Sequence, residues 1–160
     1  MMKTIQINIS NIATTFNSLE NECQGQLQET CTERILKFNN EIGVGNISGF
    51  NFNDSISYIT YDVRFDNNTT LVFEQDTNKQ SLNYIYCSQG ELLHSLGTTK
   101  KRSRFSEMQT AIFSNSLGKA NHIHVQKDEY LKFTMISFLA SKPITEDTDE
   151  FTSQLIQLFH

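Results

Sequence analysis

Apolar and polar residues alternate along most of this chain, and the period changes only near its two ends. The longest regular run is Ile56–Phe65, ISYITYDVRF. A period of two puts Ile56, Tyr58, Thr60, Asp62 and Arg64 on one side of a strand and Ser57, Ile59, Tyr61, Val63 and Phe65 on the other. Thr4–Ile9, Thr32–Phe38, Asn46–Phe52, Thr69–Gln75, Ser81–Ser88, Glu91–Leu96, Glu107–Ser114, Asn121–Gln126 and Glu129–Leu139 read as further strands. Polar or glycine-bearing turns separate them: Asn39–Gly45 with Gly43 and Gly45, Asn53–Ser55, Asp66–Asn68, Gln89-Gly90, the loop Gly97–Arg104, and Gly118. Ser81–Leu96 predicts a β-hairpin that turns at Gln89-Gly90. Many short strands at this spacing predict a sandwich or a small barrel.

The helical period is confined to the ends. Ile12, Phe16 and Leu19 predict a short amphipathic helix within Asn11–Cys23. Beyond Pro143, the only proline, Phe151, Leu155, Leu158 and Phe159 fall on one helical stripe. Thr145, Asp147, Thr148 and Asp149 supply N-cap chemistry, and Asp147 with Glu150 imitates a capping box. The stripe suits pairing with a second subunit, or burial on the outside of the β domain. No glycine or proline closes this helix, which is the pattern expected of a fragment of a longer polypeptide. The expected division is an arm over 1–44, a β-barrel over 45–142 and a terminal helix over 143–160.

Composition narrows the function. A chain of 160 residues with 38% hydrophobic side chains accommodates one full-sized core. A net charge of −5 argues against a nucleic-acid grip by this chain itself. The one basic cluster, Lys100–Arg104, reads as a solvated loop. Cys23, Cys31 and Cys87 have no Cys-x-x-Cys spacing and read as free thiols in a reducing compartment. No secretory or membrane-spanning stretch is present, so the expectation is cytoplasmic, with no membrane partner.

The order GNISGFNFNDSISYITYDVRF, LNYIYCSQGELLHSL, SEMQTAIFSNS and LKFTMISF, with Tyr-Cys-x-x-Gly at Tyr86–Gly90, resembles the amino-terminal sensor domain of AraC-family transcriptional regulators, especially those of the Bacteroidetes. The resemblance runs from about Glu33 to Phe159. It implies a mainly β, cupin-like jelly-roll barrel with a short N-terminal helix and a C-terminal helix. It also implies a small-molecule effector, a homodimer, and DNA contact only through a helix-turn-helix domain absent from this sequence. Gly45, Gly90 and His94 match the family as scaffold positions. Phe151, Leu155, Leu158 and Phe159 are the candidate dimerisation stripe.

Within that resemblance the candidate ligand-lining residues are Tyr58, Tyr84, Tyr86, His94, His122 and His124, with Phe105, Met108 and Phe113 as further apolar wall. A second reading is a small metal-dependent cupin enzyme. Two histidines two apart on a strand, His122 and His124, point the same way, and Glu129 follows at the spacing of the motif Gly-x5-His-x-His-x3,4-Glu-x6-Gly. The match is partial. Only three residues separate Gly118 from His122, Ile136 stands where the closing glycine belongs, and a further ligand would have to come from His94, Glu91 or Glu107. A third reading is a ligand-free dimerisation module. No Gly-x-Ser-x-Gly, activated cysteine or phosphate-cradling loop occurs. The sequence is therefore read as a non-enzymatic binding domain with no cofactor.

Overall fold

The fold is taken from a computed structural model that describes residues 1–75, 79–115, 119–141 and 154. Apart from Gln154, the predicted C-terminal helix lies outside those residues, as does its whole stripe. Among the described residues twelve strands and a helix of twelve residues follow one another: β1 (Met2–Asn8), α1 (Ile12–Cys23), β2 (Gln26–Glu29), β3 (Arg34–Asn40), β4 (Gly43–Asn53), β5 (Ile56–Phe65), β6 (Asn68–Glu74), β7 (Lys79–Gln89), β8 (Glu91–Leu96), β9 (Ser103–Ser106), β10 (Thr110–Asn115), β11 (Asn121–Val125) and β12 (Tyr130–Ser141).

The strands form two sheets, ordered β1-β6-β11-β8-β9 and β10-β7-β12-β5-β4-β3-β2. From β5 onward every connection except β8–β9 crosses from one sheet to the other. The resulting orders, β5-β12-β7-β10 facing β6-β11-β8-β9, are those of an eight-stranded jelly roll. The expected barrel is thus two facing sheets with free edges, not a closed cylinder. All pairings are antiparallel except β1 with β6, which is parallel.

The predicted hairpin Ser81–Leu96 does not form. β7 pairs with β10 and β12, whereas β8 pairs with β9 and β11 in the opposite sheet. Gly90 is the crossing point, with φ +85. Adjacency in sequence suggested local pairing, but each strand buries more by joining its own layer. Two short strands, β2 and β9, carry too few apolar residues to have been predicted. Gly43 and Gly45 lie inside β4 rather than in the turn before it. The ring of Phe38 lies where a Cβ on Gly45 would be, 2.1 Å from that position. β1 lengthens one sheet, β2 and β3 lengthen the other, and β4 spans the expected boundary at 44/45.

The helix forms as its pattern predicts. Asn11 is its N-cap, with Oδ1 accepting the Thr14 N–H at 2.8 Å. Ile12, Phe16, Leu19 and Cys23 enter the core shared by both sheets. That core is filled by inward positions of period two, including Tyr61, Val63 and Phe65 of β5, Leu71 and Phe73 of β6, and Leu131, Phe133 and Met135 of β12. Tyr61 stacks on Phe133 with ring centroids 4.6 Å apart and meets Phe73 edge-on at 6.1 Å. Cys23 and Cys87 are buried and Cys31 is exposed; none forms a disulfide. No helix among the described residues is long and apolar enough to cross a membrane.

Candidate functional site

The six predicted ligand-lining residues lie on three different surfaces. Tyr58, Tyr84 and Tyr86 alternate with core residues and point outward from the seven-stranded sheet. Register puts Phe50, Tyr58, Ile136, Tyr84 and Ile112 in one row across that outer face. Tyr58 stacks on Phe50 at 5.2 Å, and the Tyr86 hydroxyl donates to Met108 Sδ at 3.0 Å. Met108 itself is 71% exposed. These side chains wall no interior. The aromatic content was legible in the sequence, but not which side of the sheet faces inward.

His122 and His124 also point outward, from the five-stranded sheet, because Asn121, Ile123 and Val125 take the inward positions of β11. His124 is held at both ring nitrogens, Nδ1 to Thr70 Oγ1 at 3.0 Å and Nε2 to Ser95 Oγ at 2.9 Å. Burial and the nearby Arg102 guanidinium hold its pKa below the ordinary histidine value. It borders two shallow hollows. One, about 370 Å³, includes Thr70, Leu93, Arg102 and Gln126; the other, about 190 Å³, includes Glu91, Leu93, Gln126 and Glu129.

Among the described residues, no group of three or more His, Cys, Asp or Glu comes together as a metal site. His122, His124 and Glu129 therefore do not assemble as the ligand set the partial motif suggested. Both nitrogens of His124 are already engaged by hydroxyls. Glu91, another proposed ligand, pairs with Arg104 at 3.4 Å.

His94 alone of the six faces the interior. It stands opposite Ile123 and two residues from Leu92, both core. Its ring stacks on Phe113 of the opposite sheet, centroids 3.7 Å apart, and Phe105 meets Phe113 edge-on at 5.6 Å. His94 Nε2 bonds Asn121 Oδ1 at 2.8 Å. With that oxygen as acceptor, Nε2 carries the proton and Nδ1 the lone pair in the neutral ring. Asn121 is 5% exposed, and its Nδ2 has no hydrogen-bond partner.

A second polar group lines the same end of the sandwich. Ser137 Oγ donates to Asn83 Oδ1 at 2.7 Å, Asn83 Nδ2 donates to Ser81 Oγ at 3.2 Å, and Ser81 Oγ donates to Gln75 Oε1. Ser81, Asn83 and Ser137 are all buried, and Asn83 lies beside Phe113 in register. The chain ends at Gln75 Nε2, which is buried and unpartnered. Buried polar groups are nearly always bonded, so two unpartnered carboxamide nitrogens at one end of a core call for a cause.

The sequence reading places Asn83, Asn121 and Ser137 within strands but does not single them out as site residues. The signal was nonetheless present. Asn83 shares parity with Ile85 and Cys87, Asn121 with Ile123 and Val125, and Ser137 with Leu131, Phe133 and Met135. A polar residue on an otherwise apolar parity marks an inward polar position.

Burial lowers the His94 pKa, against the opposing pull of its bond to Asn121; the charge of His122 lowers it further. The unfolded chain therefore takes up a proton first as pH falls below about 6.5. Stability contributed by the neutral ring is present above that pH and is lost below it. The melting temperature of the wild type should fall between pH 7 and pH 5. The slope should be shallower in His94→Gln and shallower still in His94→Gln/His124→Gln. Equal slopes in all three proteins would show that these histidines are not held neutral by the fold.

No family model and no curated protein matches this chain. Solved structures similar to it include the cupin domain of Cnp3 from Schizosaccharomyces pombe, 12% identical over 82% of this chain and 74% of that one, with a TM-score of 0.43. A sugar phosphate isomerase of the cupin superfamily from Silicibacter pomeroyi is 7% identical over 61% and 66%, with a TM-score of 0.40. Oxalate decarboxylase from Bacillus subtilis is 9% identical over 76% of this chain and 32% of its own, with a TM-score of 0.42. Two of these three are enzymes by name, so the expectation of a non-enzymatic chain is withdrawn. Likeness at this level assigns no activity either way.

Proposed function

We propose that this chain is a small-molecule-binding jelly roll that serves as the sensor of an AraC-type transcription regulator. In this reading the effector enters between the sheets at the end lined by His94, Asn121, Phe113 and Asn83. The observation that carries it is the Asn121 carboxamide, buried inside the fold with its nitrogen unpartnered beside an inward histidine stacked on phenylalanine. A folded core tolerates such a group when something occupies the site in the working state. The resemblance of segments 45–65, 82–96, 106–116 and 131–138, with Tyr-Cys-x-x-Gly at Tyr86–Gly90, to AraC-type sensors supplies the regulatory part. DNA contact then belongs to a helix-turn-helix domain outside these 160 residues. The reading includes a homodimer and a cytoplasmic setting, which suits three unbridged cysteines.

For sensing, the effector must bind one arrangement of the domain more tightly than another. The test is a thermal-shift screen of the purified chain against a diverse metabolite library, together with the parent open reading frame. A binder present at a hundred times its Kd should add about 2.7 kcal/mol of stability. The reading of the frame should continue into two basic helix-turn-helix units. A library that leaves the melting temperature unmoved, with no such units in the frame, overturns the proposal.

A further inference from the structure

We infer that Asn121 and Gln75 form a paired carboxamide clamp that binds an oxygen, carbonyl or hydroxyl, of an uncharged ligand; this inference rests on the sensor reading above and deepens it. Each carboxamide has its oxygen committed, Asn121 Oδ1 to His94 Nε2 and Gln75 Oε1 to the Ser81 hydroxyl. Each is thereby fixed with its N–H₂ group turned to the unpartnered side, and both nitrogens are buried without an acceptor. What the pair lacks is an acceptor, not a donor.

The two groups are neighbours. Asn121 lies directly opposite Phe73 across the β6–β11 pairing, and Gln75 is two residues beyond Phe73. Gln75 follows directly on the end of β6, so both carboxamides stand at the same end of the β6–β11 pair, on the inward parity of their strands. The Gln75 side chain is held inward by Ser81, whose strand also carries the inward Asn83 and Ile85.

Charge excludes the ionic alternatives. Among the described residues, the buried polar side chains are serine, threonine and asparagine, with no Asp, Glu, Lys or Arg. A carboxylate or ammonium group entering here would lose its hydration with no counter-charge among these buried side chains to replace it. A neutral oxygen loses less and gains two N–H donors. The lone pair on His94 Nδ1 offers an acceptor to a ligand O–H or N–H, and Phe113 gives the site an aromatic floor. The expected ligand is therefore neutral and carries both acceptor and donor atoms.

The test uses the full chain and three series of probes built on the same carbon skeletons: neutral amides and alcohols, carboxylates, and primary amines. Binding is read by thermal shift and by the side-chain N–H₂ resonances of ¹⁵N-labelled protein. Peaks are assigned through their loss in Asn121→Leu and Gln75→Glu. The neutral series should bind at least tenfold more tightly than the charged ones and move both pairs of resonances together. Gln75→Glu, at a partly buried residue and with the fold checked by circular dichroism, should weaken the best neutral probe tenfold or more. Tightest binding by carboxylates or amines overturns the clamp while leaving the sensor reading standing. So does a neutral binder indifferent to both substitutions. Failure of all three series to bind overturns the clamp, with the library screen deciding separately on the sensor.

Discussion

Gly90→Ala should lower the folding stability of this chain by about 3 kcal/mol, a large change for a glycine in a connection. Gly90 has φ +85, a conformation that costs an L-residue about 1–3 kcal/mol. A Cβ there would also stand 2.3 Å from the Tyr130 carbonyl oxygen, which is backbone of β12 and is paired there with Arg64 of β5. Gly90→Asn separates the two causes. Asparagine tolerates positive φ, so in an ordinary hairpin turn it would cost little. At a crossing between sheets the collision with Tyr130 remains, and Gly90→Asn should be nearly as damaging as Gly90→Ala. Urea unfolding followed by circular dichroism measures both. A wild-type midpoint in Gly90→Asn would restore the local hairpin that the sequence suggested.

Phe133→Ala should cost about 3–5 kcal/mol, the range for removing a wholly buried phenylalanine. Phe133 is 0% exposed, and its ring is stacked on Tyr61 at an interplanar angle of 6°. Tyr61 in turn meets Phe73 of the other sheet, so Phe133 supports the contact between layers. The cavity cannot collapse easily, since β12 is paired on both sides. Phe133→Leu keeps much of the volume and should cost less than half as much. Equilibrium unfolding in urea reads both variants. Alanine and leucine variants of equal stability would mean that the stack contributes nothing beyond its apolar area.

How much of this was legible beforehand depends on the range of the interaction. β5 and β8 were predicted with the bounds they have, and the helix after Asn11 differs by one residue. These elements rest on local signals: alternation, a capping side chain, a polar turn. The strand-rich character followed from the same signals. β2 and β9 were not predicted, because QLQE and SRFS gain strand form only from the partner alongside them.

The candidate site shows the same division more sharply. Of the six candidate ligand-lining residues, His94 faces the interior, and its five companions point out from the two outer faces. Parity along a strand sorts residues into two sets without saying which set faces the core. Tyr58 and Tyr61 looked equally suited to an interior; only Tyr61 is in it. The His122/His124 pair drew attention by its spacing, and the fold turns it away from the inside and ties His124 to two hydroxyls.

The sequence by itself determined the periodicities, and through them the strands, the helix start and the pool of polar residues able to lie inward. It did so because side-chain direction along a strand is set by backbone geometry within a few residues. Only the tertiary structure decided that β7 and β8 part at Gly90 into opposite sheets, and that His94, bonded to Asn121, stacks on Phe113 of the facing sheet. Those outcomes depend on which layer each strand joins, and burial across the whole sandwich selects that, not the residues next along the chain.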